Sequence, residues 1–273
     1  MKEQLARVLR GPIRLYNEGL IHKLYNKKFS LKPIAEKEKN LVLVPHVDDE
    51  TIGMGAYLLK SSKEYILCYS TDSGGSLSAH NYEDTVKERS REALRIAKEL
   101  NIKRVEFLGV GEDRFIEEAE LKKEKLKQII IEEQFDRIFT VSPYDAHPIH
   151  RQTTGLLLSM IDNIPEHCRI VFYEVSNLMP DHWINSYAAM NRELFLRKRN
   201  LYSFFPSQDK TMDFDIFQRL NRRKGKVLEN GSYAAEYFCD LSKEEFKERM
   251  ESLSELDLPK YRIGNHRSFR KTV

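Results

Sequence analysis

The sequence predicts an α/β fold, a Rossmann-like and mainly parallel sheet with helices on both faces. Three observations predict it. Short continuous apolar runs such as Leu41-Val42-Leu43-Val44 suit strands buried on both sides. Segments of helical length and spacing separate these runs, the order of βαβ units. The chain has 273 residues, 41% of them hydrophobic, enough to bury a full core as one large domain or two small ones.

The elements follow in order. The first forty residues are basic, with Lys2, Arg7, Arg10, Arg14, Lys23, Lys27 and Lys28 against Glu3 and Glu18. Apolar residues from Leu5 to Tyr25 recur at helical spacing, interrupted by Gly11-Pro12. This predicts one or two helices packed on the main domain or on a second subunit, since apolar helix faces are ordinarily core. The sharper alternative is an amphipathic segment resting on an anionic membrane. Strands are then predicted over 41–44, 65–69, 104–108, 137–141 and 169–175, and helices over 51–60, 82–100, 121–134 and 149–162. Further helices are predicted over 190–200, 212–228 and 243–253. In such a sheet ligands bind beyond the strands' carboxyl ends, so chemistry is expected just after Val44, Tyr69, Leu108 and Val141.

Composition excludes several classes. The net charge of +3 gives no bulk attraction for nucleic acid. Cys68, Cys168 and Cys239 are scattered and form no CxxC pair, which argues against a disulfide framework or a cysteine zinc site. No secretory h-region and no run of about 20 apolar residues occurs. A cytoplasmic protein is the expectation.

The strongest feature is Pro45-His46-Val47-Asp48-Asp49-Glu50, directly after the first strand. Three adjacent acids repel one another unless a cation or protons intervene. His46 and Asp49 can turn toward one ion, with Asp48 at the open position and Glu50 orienting a neighbour or favouring the helix start. The second feature is Tyr144-Asp145-Ala146-His147-Pro148-Ile149-His150, after the fourth of these strands, where the proline can start a helix. Two imidazoles and a carboxylate with an open fourth position form a catalytic zinc set, here His46, Asp49 and one of the loop histidines. Iron(II) accepts the same donors. His80 is read as a loop residue and Trp183 as packing rather than a sugar platform. The runs Arg222-Arg223-Lys224 and 266–271 are read as solvated charge rather than a site for an anionic carrier.

With both motifs in this order, the chain resembles the LmbE-like/PIG-L family of zinc-dependent N-acetylglucosaminyl deacetylases. Weaker matches follow in order: Thr71-Asp72-Ser73-Gly74-Gly75, Arg89 to Ala93, Leu108-Gly109 with Asp113, Tyr173-Glu174, Lys198 with Ser207-Gln208, and Ala235-Glu236-Tyr237-Phe238. The resemblance implies His46, Asp49 and His150 as zinc ligands and Asp48 as the general base toward water on the zinc. It implies His147 as oxyanion support or acid, and Arg89 and Asp113 as sugar contacts. The implied substrate is an N-acetylglucosamine-type amino sugar or its conjugate, giving acetate and a free amine. The family often has Asp where this chain has Ile149, so any tuning of the neighbouring imidazole falls to another group such as Asp145. The resemblance covers a deacetylase domain over 39–240 and does not explain the rest, so the expected organisation adds a basic amphipathic extension over 1–38 and a C-terminal helix with a basic tail over 241–273. Two alternatives stay open: a zinc hydrolase for another amide or ester, and a non-catalytic sugar-binding relative. A Rossmann nucleotide binder would need a glycine-rich turn where this chain has Pro45 to Glu50.

Overall fold

The computed structural model describes residues 2–75, 81–209, 211–253, 259 and 263, with side chains from residue 11 onward. The chain runs α1 (Lys2–Leu24), β1 (Lys32–Pro33), β2 (Lys39–Val44), α2 (Asp49–Lys60), β3 (Glu64–Thr71), α3 (Tyr82–Glu99) and β4 (Arg104–Val110). It continues α4 (Phe115–Glu133), β5 (Arg137–Val141), α5 (Pro148–Leu158), β6 (Arg169–Tyr173), β7 (Ser186–Met190) and α6 (Arg192–Leu201). It closes with α7 (Phe214–Val227), β8 (Ala234–Leu241) and α8 (Lys243–Ser252).

Among the described residues, eight strands form one sheet in the order β1-β7-β8-β6-β5-β2-β3-β4. All pairs are parallel except those of β8, which runs antiparallel to β6 and β7. Leu41, Val42, Leu43 and Val44 have no exposed surface, although alternate residues point to opposite faces, so both faces are covered. α4 and α5 touch each other and α5 touches α8, while α2 meets α6 and α1 meets α7. The order reverses at β2: β3 and β4 lie on one side, β5 and β6 on the other. The loops leaving β2 and β5 therefore diverge and open a crevice.

Three strands depart from the sequence expectation. β1 is two residues long, and β7 (Ser-Tyr-Ala-Ala-Met) is too short of β-branched residues to announce itself. β8 lies between β6 and β7 and pairs antiparallel with both, a long-range pairing without a local signature. The helix expected from residue 190 begins at Arg192, because Met190 ends β7 and Asn191 caps the helix by accepting from Leu194 N–H at 2.8 Å. α1 is a single helix that passes through Pro12 without a break. Its buried residues Ile13, Asn17 and Ile21 stand four apart, and Tyr25 continues the row. Asp213 accepts both donors of Arg14 at 2.7 and 2.8 Å, which fixes this helix beside α7.

α2 is broken at Met54, whose φ of −144° lies outside helical values. A break inside a helix orphans carbonyls on one side and N–H groups on the other. Lys198, 1% exposed, donates to Ile52 O at 2.8 Å, Asn221 Oδ1 at 3.1 Å and Glu236 Oε1 at 2.6 Å. Glu236 accepts the N–H groups of Ala56 and Tyr57, both at 2.9 Å. One ion pair thus caps both halves of the helix. Gly53 fits just before the break, since a Cβ there would lie 2.2 Å from the Tyr173 ring. Removing one partner of a buried pair leaves the other charged and unpaired. Glu236→Gln should therefore lower stability by about 3–5 kcal/mol in urea unfolding at neutral pH.

Candidate active site

The loop after β2 and the first turn of α2 supply His46, Asp48 and Asp49. The loop after β5 and the first turn of α5 supply His147 and His150. His46 Nδ1 lies 3.2 Å from Asp49 Oδ2, His150 Nε2 lies 3.3 Å from the same oxygen, and the two ring nitrogens are 3.3 Å apart. These are the donor atoms of the His46, Asp49 and His150 group capable of holding a metal. Tetrahedral ligands at about 2.0–2.1 Å from an ion stand about 3.3–3.4 Å from each other. The donor types and their spacing both fit zinc.

Each donor has support behind it. His46 N–H donates to Asp49 Oδ2 at 2.9 Å. His150 Nδ1 lies 3.0 Å from Asp145 Oδ2, an ion-pair contact rather than an aligned hydrogen bond. Asp145 is 1% exposed and also accepts from His147 N–H at 2.8 Å and Ser176 N–H at 3.2 Å. This carboxylate stands beside the imidazole although position 149 is Ile. On the far side of His46, Nε2 lies 3.7 Å from Glu112 Oε2. Burial opposes a charged His46, but the Glu112 and Asp49 carboxylates outweigh it and raise the group to about 10. Burial likewise opposes a charged His150, while Asp145 and Asp49 raise it to about 9. Burial also opposes an ionised Asp49, yet His150 and His46 hold it well below the usual carboxylate range.

Asp48 occupies a strained backbone, with φ at 121°, as the N-cap of α2. Glu50, without exposed surface, accepts Asp48 N–H at 3.2 Å and the Thr51 hydroxyl at 2.9 Å, and so pins that turn. Burial pushes Glu50 up to about 7. Asp48 Oδ1 lies 3.4 Å from Arg89 Nη2. Burial pushes Asp48 up to about 8, with Arg89 acting against it and Asp49 and Glu50 with it.

Arg89 is 1% exposed, so its guanidinium does not stand open to a sugar. It donates to Glu92 Oε2 at 2.9 Å and Ser207 Oγ at 3.1 Å, which leaves it serving Asp48. Asp113 is exposed on the short turn after β4, while Glu112, one residue earlier, turns inward. Gly75 makes room for that inward turn, since a Cβ there would lie 2.5 Å from Glu112 Oε2. His147 caps α5, its Nδ1 accepting from Ile149 N–H at 3.3 Å. Its ring stacks on His150 at 4.7 Å between centroids and meets His46 edge-on at 4.9 Å. Trp183 is 6% exposed and packs against Tyr144 and Phe172, away from a sugar role. His80 and the basic residues 266–271 lie outside the described residues.

Residues 41–161 match the family described as PIG-L, GlcNAc-PI de-N-acetylase. Solved structures share its fold. The N,N'-diacetylchitobiose deacetylase of Pyrococcus horikoshii is 21% identical with a TM-score of 0.66, over 84% of this chain and 92% of that one. A conserved protein of Thermus thermophilus is 18% identical with a TM-score of 0.61, over 76% and 94%. The 4-carboxy-2-hydroxymuconate hydratase of Pseudomonas putida is 12% identical with a TM-score of 0.60, over 75% and 96%. No curated protein matches the sequence. The matched PIG-L segment holds His46, Asp48, Asp49, Arg89, Asp113, His147 and His150, while Glu174, Lys198 and Glu236 lie beyond it. Among the described residues, no helix is long and apolar enough to cross a membrane.

One divalent metal ion per chain is expected by metal analysis. His150→Ala should abolish binding, and Asp145→Asn should weaken it about 10–100-fold in chelator competition.

Proposed function

We propose that the chain is a zinc-dependent N-deacetylase of an N-acetylglucosamine-type amino sugar or its conjugate, releasing acetate and a free amine. One observation carries the reading: three donor atoms meet at 3.2–3.3 Å, and a neighbouring carboxyl, Asp48, stands outside that trio. Ligation alone gives no use for a strained Asp48 held beside a buried Arg89.

His46, Asp49 and His150 would hold the metal. Bound there, zinc supplies a Lewis acid for the acyl oxygen, lowers the pKa of water and favours the ionised form of Asp48. Asp48 takes the proton of the attacking water. It then returns the proton to the departing nitrogen, so the amine leaves neutral. Arg89 fixes the carboxylate's position through the 3.4 Å contact, itself anchored by Glu92 and Ser207. The cap bond of His147 occupies Nδ1 as acceptor and leaves the ring hydrogen on Nε2. A ring in that tautomer donates to an oxyanion, which favours oxyanion support over general acid for His147. Glu112 orients His46, and the exposed Asp113 one residue later is the proposed sugar contact.

The domain assignment is part of the proposal: residues 39–240 form the deacetylase domain, flanked by 1–38 and 241–273. A second reading, a different reaction on the same fold, is favoured by the hydratase of Pseudomonas putida. Two results separate the readings. The zinc-loaded protein should release acetate from N-acetylglucosaminides. Asp48→Asn should keep its zinc and lose about 10²–10⁴-fold in rate. Acetate release by Asp48→Asn at the native rate would overturn the base assignment.

A further inference from the structure

A groove of about 600 Å³ lies between α1, α6 and α7, outside the residues of the candidate active site. Its walls carry five cationic side chains, Arg199, Arg219, Arg222, Arg223 and Lys226, with His22 at the α1 side. Only two carboxylates share the lining, Glu18 and Asp215. Both already have cations: Glu18 pairs with Arg219, and Asp215 lies 3.5 Å from Arg14. Among the described residues, Arg199, Arg222, Arg223 and Lys226 have no carboxylate partner.

Two of these guanidiniums are held in place. Arg222 lies over the Tyr233 ring at 3.9 Å and near Phe195 at 5.9 Å, so its planar edge is fixed without a charge partner. Arg223 donates through Nε to Tyr25 O at 2.7 Å, which leaves its terminal nitrogens for another acceptor. The adjacent lysines behave differently: Lys198 and Lys224 turn inward to Glu236 and Glu174. The basic run at 222–224 therefore splits into one core cation and two groove cations, rather than a uniformly solvated face.

We propose that this groove binds a phosphate-bearing anion. Planar guanidiniums pair bidentately with phosphate oxygens, and a concave surface with one sign of charge focuses its field on a ligand. The volume suits a small polyphosphorylated group. Such a group comes either as a soluble phosphate compound or as a phospholipid headgroup. Leu15 and Tyr16, 70% and 56% exposed on the helix that forms one wall, are apolar surface that a lipid source would also cover. The site stands independently of the deacetylase reading.

The test uses the full-length, zinc-loaded protein at physiological ionic strength, where diffuse surface attraction is screened. Tripolyphosphate is titrated calorimetrically, and sedimentation is followed with phosphatidylcholine vesicles made with or without phosphatidylglycerol. Either probe binding, with a loss of about tenfold or more in the Arg199→Glu/Lys226→Glu variant, supports the site and identifies its source. That variant should keep its zinc, melting temperature and acetate release. If it fails to fold, Arg199→Gln at an exposed, unpartnered position should weaken binding about threefold. Absence of binding by both probes, or equal binding by native and variant protein, overturns the proposal.

Discussion

The position of Asp48 and Asp49 depends on one buried ion pair. Asp48 and Asp49 sit at the head of α2, and α2 is not a continuous helix. Its break at Met54 would leave polar backbone groups unpaired in a dry interior, which no fold sustains without compensation. Lys198 and Glu236 come from α6 and β8, far along the chain, to satisfy both edges of the break. With the break satisfied, Gly53 can approach Tyr173 closely, and the first turn of α2 keeps its direction toward the loop after β5. The pair acts through the helix it holds and does not touch His46, Asp49 or His150.

The same logic of paired charge governs the cleft. Asp48, Asp49, Glu50 and Asp145 are all buried, and Glu112 is half-buried. Left alone, such a collection would be driven to take up protons. Instead most of the acids have a defined counterpart. Asp49 has two imidazoles, Asp145 has one, Glu112 faces His46 and Asp48 faces Arg89. Glu50 alone relies on backbone and hydroxyl donors, and its shift to about 7 reflects that. A divalent cation in the triad adds positive charge at the centre of this group, where the repulsion is greatest.

Much of this was legible in the sequence because it is local. An apolar strand followed at once by His46, Asp48 and Asp49 declares both its element and its chemistry, and Pro148 marks the start of α5 between two histidines. Less legible was what depends on which way a side chain turns. Asp113 carries the resemblance, yet Glu112 faces His46, because a short 3₁₀ turn rotates consecutive residues to different sides. Arg89 was readable as important but not as buried, since its partner Ser207 is 118 residues away. β7 and β8 pair only with each other and with distant strands, so their local composition said little. Lys198 and Glu236 stood out by resemblance, and only the break in α2 explains what they do.

The opening segment carries a consequence for how the chain is made. Anchors of this segment lie late in the sequence: Arg14 meets Asp213, Tyr25 donates to Glu174 at 2.9 Å, Phe29 bridges Leu228, and Lys32 pairs with Ser186. During synthesis these residues emerge before any of those partners. The parallel strands from β2 to β5 can begin to assemble while the segment waits, with Ile13, Ile21 and Tyr25 still in water. Docking follows only after α7 has left the ribosome, so a segment made before the central strands is buried after them.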